Sequence, residues 1–205
     1  MSSRVRAFAF VLAAAAVAHQ AAAAELRSGT LQLDPSKTLI EFRLPGSLHT
    51  THGTFKLERG TVTGDLNTGK AAGAIVVDAS SGDSGIGARD SRMKDSILEA
   101  QKYPEITFTP EHVTGGLASD GQFRAELSGI LTLHGAGHQI TMDVRGQLSG
   151  DSLAATSHFS VPYVAWGLGD PSWVFLTVAK EVEIYVATAG YVVWRDKPAA
   201  RGLTK

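Results

Sequence analysis

The chain has 205 residues, a formal charge of −1 and no cysteine. Near-neutrality excludes the broad electrostatic attraction that a nucleic-acid partner would demand. The missing thiols exclude disulfide stapling, a thiol nucleophile and a thiol-linked lipid anchor.

Residues 1–24 read as a secretory signal peptide. Arg4 and Arg6 form a short basic region, an apolar stretch runs from Ala7 to Ala18, and the small-residue run Ala21-Ala22-Ala23-Ala24 comes after it. That order predicts cleavage between Ala24 and Glu25 and export to the periplasm of a two-membrane cell. The apolar stretch is shorter than the ~20 residues that span a bilayer, and no later segment is long enough, so no transmembrane span is expected. Residues 25–196 are then expected to form one domain, and the unpatterned polar stretch 197–205 a loose tail.

Period-two alternation dominates the chain beyond Glu25, the mark of strands with one buried face. Ile40, Phe42 and Leu44 alternate with Leu39, Glu41 and Arg43. Phe123, Ala125, Leu127, Gly129, Leu131 and Leu133 interleave with Gln122, Arg124, Glu126, Ser128, Ile130 and Thr132. Ile140, Met142 and Val144 continue the pattern, and Leu176, Val178, Val182, Ile184 and Val186 share one parity, broken only by Lys180. Gly- and Asp-rich turns separate the runs, as at Asp65-Leu66-Asn67-Thr68-Gly69, Ser119-Asp120-Gly121 and Ser149-Gly150-Asp151. This spacing predicts an all-β, antiparallel sandwich or barrel. Gly60 and Gly129, inside strand patterns, suit bulges where a sheet curls. One short helix is expected, roughly over Lys94 to Lys102, stopped by Tyr103-Pro104.

A set of motifs then carries a resemblance. Leu33-Asp34-Pro35-Ser36 precedes Ile40-Glu41-Phe42; His52-Gly53-Thr54-Phe55, Ala88-Arg89-Asp90 and Met93-Lys94 come after. Next are Lys102-Tyr103-Pro104-Glu105-Ile106-Thr107-Phe108 and Gly129-Ile130-Leu131-Thr132-Leu133-His134-Gly135, and Val182-Glu183-Ile184 closes the series. From about Leu31 to about Ala189 this order resembles the YceI-like family of exported, lipocalin-like proteins that bind polyisoprenoids. The resemblance implies an extended eight-stranded antiparallel barrel around an elongated apolar tunnel, a homodimer in many members, and no catalytic residues. Ile97-Leu98 stands where the family usually has adjacent aromatics, and the segment from Pro162 to Trp173 is unusually rich in aromatics and proline.

The inward parity supplies the candidate ligand-binding residues: Phe42, Phe55, Leu57, Phe108, Leu131, Leu133, Phe159 and Leu176, with Trp166 from the aromatic segment. Taken singly, each also fits as ordinary core, and alternation alone does not tell a packed barrel from a hollow one. Histidines offer a second chemistry. His49 and His52, three apart, would face opposite sides of a strand, whereas His134 and His138 flank a Gly-rich turn and could converge across it. Arg89, Asp90 and Arg92 near the helix start fit capping and a loop-holding ion pair. No Gly-x-Ser-x-Gly elbow organises a hydrolase triad, and the glycines of Asp83-Ser84-Gly85-Ile86-Gly87 lack the βαβ context of a dinucleotide site. The expectation is an exported, non-enzymatic protein that sequesters or carries an isoprenoid or quinone-like lipid, without metal or other cofactor. The alternatives are a periplasmic metal- or haem-binding module using the histidines, and an enzyme acting on a bound lipid.

Overall fold

The computed structural model describes residues 28–172 and 177–195. The expected signal peptide, the tail 197–205 and Leu176 lie outside the described residues. Nine strands are present: β1 (Ser28–Leu33), β2 (Leu39–Leu44), β3 (Thr51–Asp65), β4 (Lys70–Asp83), β5 (Glu105–Leu117), β6 (Gln122–Leu133), β7 (Ala136–Ser149), β8 (Ser152–Val161) and β9 (Val182–Trp194). All pairings are antiparallel, and the sheet closes on itself.

Nine segments fill eight positions around the barrel. β1 and β2 both lie between β3 and β9, one beyond the other: Leu31 pairs with Val62 and Val192, and Phe42 with Gly53 and Ile184. They are one long edge interrupted by a single 3₁₀ turn, Pro35–Lys37. Asp34 starts that turn, accepting hydrogen bonds from Ser36 N at 2.9 Å and Ser36 Oγ at 2.6 Å. Proline supplies the fixed φ for the first residue of such a turn. Closure removes the exposed strand edges that invite aggregation.

The sheet curls at its irregularities. The β5–β6 register shifts between Pro110 and His112, where Gly129 faces Pro110; a Cβ on Gly129 would lie 2.2 Å from the Thr109 carbonyl oxygen. Another shift falls between Leu57 and Arg59, immediately before Gly60. Both glycines therefore sit at bends, as their positions inside strand patterns suggested.

The helix begins earlier than its expected bounds. It occupies α1 (Gly87–Arg92) and runs on into a π-type turn over Met93–Ile97. Glu99, with φ +46°, then turns the chain out of helical geometry. What fixes the start is a tertiary contact. Asp90, only 8% exposed, accepts hydrogen bonds from Ser84 N at 2.8 Å and Ser84 Oγ at 2.6 Å. These bonds tie the loop to the first helical turn and hold the carboxyl below its ordinary pKa, chiefly through the Ser84 hydroxyl. Asp90 thus holds the loop through a serine rather than through an ion pair, and the residue preceding the helix, Ile86, offers no side-chain cap. The last strand also starts later than the parity suggested. Val178 makes an isolated bridge to Gly46, and β9 begins at Val182.

Candidate ligand-binding interior

Direct cross-strand partners point to the same side of a sheet, so the register defines rows around the inside of the barrel. One row runs Gly60–Ile75–Phe108–Leu131–His138. Another runs Phe159–Ile184–Phe42–Gly53, and a third Gly115–Ala125–Val144–Ser157–Val186–Ile40–Phe55. The candidates Phe42, Phe55, Leu57, Phe108, Leu131, Leu133 and Phe159 all have the inward parity. Phe42 and Phe55 touch as tilted rings with centroids 5.5 Å apart. Gly53 is required beside them, because a Cβ there would come within 2.4 Å of the Phe42 ring.

The two halves of the interior differ. At the end carrying the β2–β3, β4–β5, β6–β7 and β8–β9 connections, Phe108, Leu131, Leu133, Ile140, Met142 and Val161 are buried together with three loop residues, Leu98, Tyr163 and Leu168. Phe55, Phe159 and Trp166 pack against this cluster. It forms a plug. Toward the opposite end, where β1 starts and the short β3–β4, β5–β6 and β7–β8 turns lie, most inward-facing apolar residues stay partly exposed, with Ala155 and Val192 buried among them. The partly exposed ones include Leu31, Val62, Phe123, Leu127, Val144, Leu148, Leu153 and Val186. Interiors packed by side chains alone are as dense as organic crystals. Partial exposure along these inward rows means that side chains alone do not close this end as densely as they close the other.

The sequence candidates therefore divide. Phe108, Leu131 and Leu133 belong to the plug, and Phe42 and Leu57 are buried, while the partly exposed inward residues of the turn end are ones not singled out. Their signal was present, because Phe123, Ala125 and Leu127 share the parity of Leu131. A broad outer depression of about 750 Å³ also exists, bordered by Lys37, Leu39, Arg145, Ala154 and Thr156. It lies over the outside of β7, β8 and β9 and is separate from the plug.

The plugging segment after β8 is held by specific bonds. Tyr163, 6% exposed, donates its hydroxyl to the Ala179 carbonyl at 2.8 Å, and burial pushes that hydroxyl up to about 12. Asp170 takes a hydrogen bond from Lys180 and one from Ser172 N at 2.9 Å, which hold its carboxyl down at about 2. This pairing brings the two sides of the β8–β9 connection together and explains the parity exception at Lys180.

The histidines do not converge. His134, in the β6–β7 turn with φ +52°, lies against Tyr103 at 4.6 Å between ring centroids, with Nε2 3.3 Å from Glu99 Oε1. His138 instead stacks flat on Trp166, centroids 4.0 Å apart and planes parallel. His49 and His52 are exposed. Among the described residues no group of three His, Cys, Asp or Glu side chains could hold a metal ion, and no helix is long and apolar enough to cross a membrane.

The family model that matches the chain is the YceI-like domain, over residues 31–189. At the level of fold, BcnA from Burkholderia cenocepacia superposes with TM-score 0.62 at 20% identity, covering 77% of this chain and 98% of that one. A polyisoprenoid binding domain from Saccharophagus degradans, implicated in plant cell wall breakdown, superposes with TM-score 0.57 at 19% identity, covering 80% and 98%. At these identities the likeness establishes the barrel and nothing finer. No curated protein matches the sequence.

Proposed function

The chain belongs to the YceI-like family, and from that premise we propose that it is an exported binding protein that sequesters or carries an isoprenoid or quinone-like lipid inside the barrel. The observation that carries this reading is the partial exposure of the inward apolar rows toward the turn end. A barrel that needed only a core would cover those apolar side chains. The polyisoprenoid binding domain with the same fold supports the choice of ligand class. The physical chemistry is sufficient. Each buried methylene contributes roughly 0.8 kcal/mol, so about ten give a gross gain of roughly 8 kcal/mol, part of which is lost in ordering the chain.

The reading places the protein in the periplasm, possessing no enzymatic activity of its own, with pairing into a homodimer as the assembly to test alongside lipid loading. Organic extraction of protein purified from its native compartment, followed by mass spectrometry, tests the central claim. A prenyl-chain lipid should be recovered in near-stoichiometric amount. Lipid-free protein in repeated preparations, unable to take up added prenyl lipid, would refute it.

A further inference from the structure

The outside of the barrel over β1, β2 and β6 to β9 changes character along the strands. Outward side chains form rows just as the inward ones do. Nearer the plug, one outward row runs Glu41–Tyr185–His158–Asp143–Glu126. The adjoining row runs Leu39–Ala187–Thr156–Arg145–Arg124. In that row, and in those beyond it on these strands that carry Ala154, then Tyr191, then Val193, no carboxylate occurs. Arg124 and Arg145 are exposed direct cross-strand partners and have no ion-pair or hydrogen-bond partner among the described residues. Like charges placed directly opposite repel. Nearby carboxylates are otherwise engaged: Asp34 lies 3.5 Å from Lys37, Asp120 accepts from Gln122 N at 3.0 Å, and Asp151 accepts from Trp194 Nε1 at 3.1 Å.

Apolar exposure is concentrated on the same face. Five large apolar side chains are exposed among the described residues, and three of them, Leu39 at 47%, Tyr191 at 51% and Val193 at 53%, point outward here. From Ala187, beside Leu39, to Val193 the band is about 20 Å long at the rise of a strand. The outer depression lies within it, with Lys37 and Arg145 on its border. Clustered apolar exposure of this kind, next to unpaired cations, marks an interaction surface.

We infer that this outer face docks on an anionic phospholipid bilayer, bringing the partly exposed turn end of the barrel beside the membrane. The purpose of such docking rests on the lipid-carrier reading; the surface and its partner go beyond it. Lipid phosphates supply the counter-charge that Arg124 and Arg145 lack. Leu39, Tyr191 and Val193 enter the head-group region, where apolar side chains and tyrosine are favoured. An acidic protein would also answer the arginines, but a lipid carrier exchanges its cargo with a bilayer, and the exposed side chains are those of an interfacial belt.

The test is co-sedimentation of the full-length protein with vesicles of phosphatidylcholine, with and without 30% phosphatidylglycerol. All variants share residues 1–24, so comparison among them cancels any contribution of that segment. Wild type should bind the anionic vesicles at least about tenfold more tightly at 0.1 M salt, and most of that preference should vanish at 0.5 M. Arg124→Gln combined with Arg145→Gln should lose about 25-fold, roughly fivefold for each basic residue at an anionic surface. Leu39→Ser combined with Val193→Ser should also weaken binding, whereas Leu48→Ser, in the β2–β3 loop at the plug end, should leave it within about twofold. Glu126→Gln should tighten it. These positions are exposed, and an unchanged circular-dichroism melting midpoint verifies each fold. Equal binding to neutral and anionic vesicles, an equal loss in Leu48→Ser, or capture by polyglutamate without vesicle binding would overturn the docking face. Prenyl lipid still recovered by extraction would then leave the carrier reading standing. Arginine-dependent vesicle binding by a protein that never yields lipid would instead uphold the face and remove the carrier reading.

Discussion

Adding volume at two inward positions separates a hollow half from a packed one. Ala125 lies in the row Gly115–Ala125–Val144–Ser157–Val186 and is partly exposed, whereas Leu131 is 7% exposed between Phe108 and His138. Ala125→Leu adds three carbons at a partly exposed inward position. Folding stability should hardly change, with thermal midpoint within about 2 °C of wild type, but about three ligand carbons are displaced. At roughly 0.8 kcal/mol each, the loss is about 2.4 kcal/mol, or roughly fiftyfold in affinity. Leu131→Trp pushes into the plug, where overpacking costs about 1–3 kcal/mol. For a domain of this size that is a drop of roughly 2–12 °C. Calorimetry and probe-displacement binding on the same preparations give both numbers. If Ala125→Leu lowers the midpoint as much as Leu131→Trp and leaves lipid affinity intact, the interior is packed throughout and partial exposure does not mark a lipid site.

Asp170 supplies a pH prediction. Its folded-state carboxyl sits at about 2, held down first by Lys180 and then by Ser172, against about 3.9 in an unfolded chain. The pairing therefore stabilises the β8–β9 connection above pH ~4, and that contribution is lost as the pH falls through about 2. Asp170→Asn should flatten the acid limb of the stability profile between those values, as followed by circular dichroism, and an identical limb in the variant would contradict the assignment. The export reading predicts that protein recovered from the periplasm begins at or within a few residues of Glu25. N-terminal sequencing that finds Met1 or Ser2 on such material would refute it.

Much of the fold was legible because a strand announces itself locally. The alternation of Phe123 to Leu133 with its polar partners survives intact as β6, and that of Ile140 to Val144 as β7. The bends at Gly60 and Gly129 were readable for the same reason, since the missing side chain is itself the signal. The helix start was not, because Asp90 fixes it through Ser84 across a loop rather than through helical periodicity. Nor was the role of Lys180, whose partner Asp170 closes a connection between strands.

Inwardness is a property of a strand and can be read one residue at a time, so the set Phe42, Phe55, Leu57, Phe108, Leu131, Leu133 and Phe159 was determined by sequence alone. Depth along the barrel is a property of closure. Whether an inward residue meets a neighbour or open space depends on Leu98, Tyr163 and Leu168, which arrive from loops far away in the chain and fill one end only. His138 shows the same division. Its place beside a Gly-rich turn is sequence information. Its inward row and its stacking on Trp166 are not, because they arise only when β6 and β7 pair and the segment after β8 folds back over them.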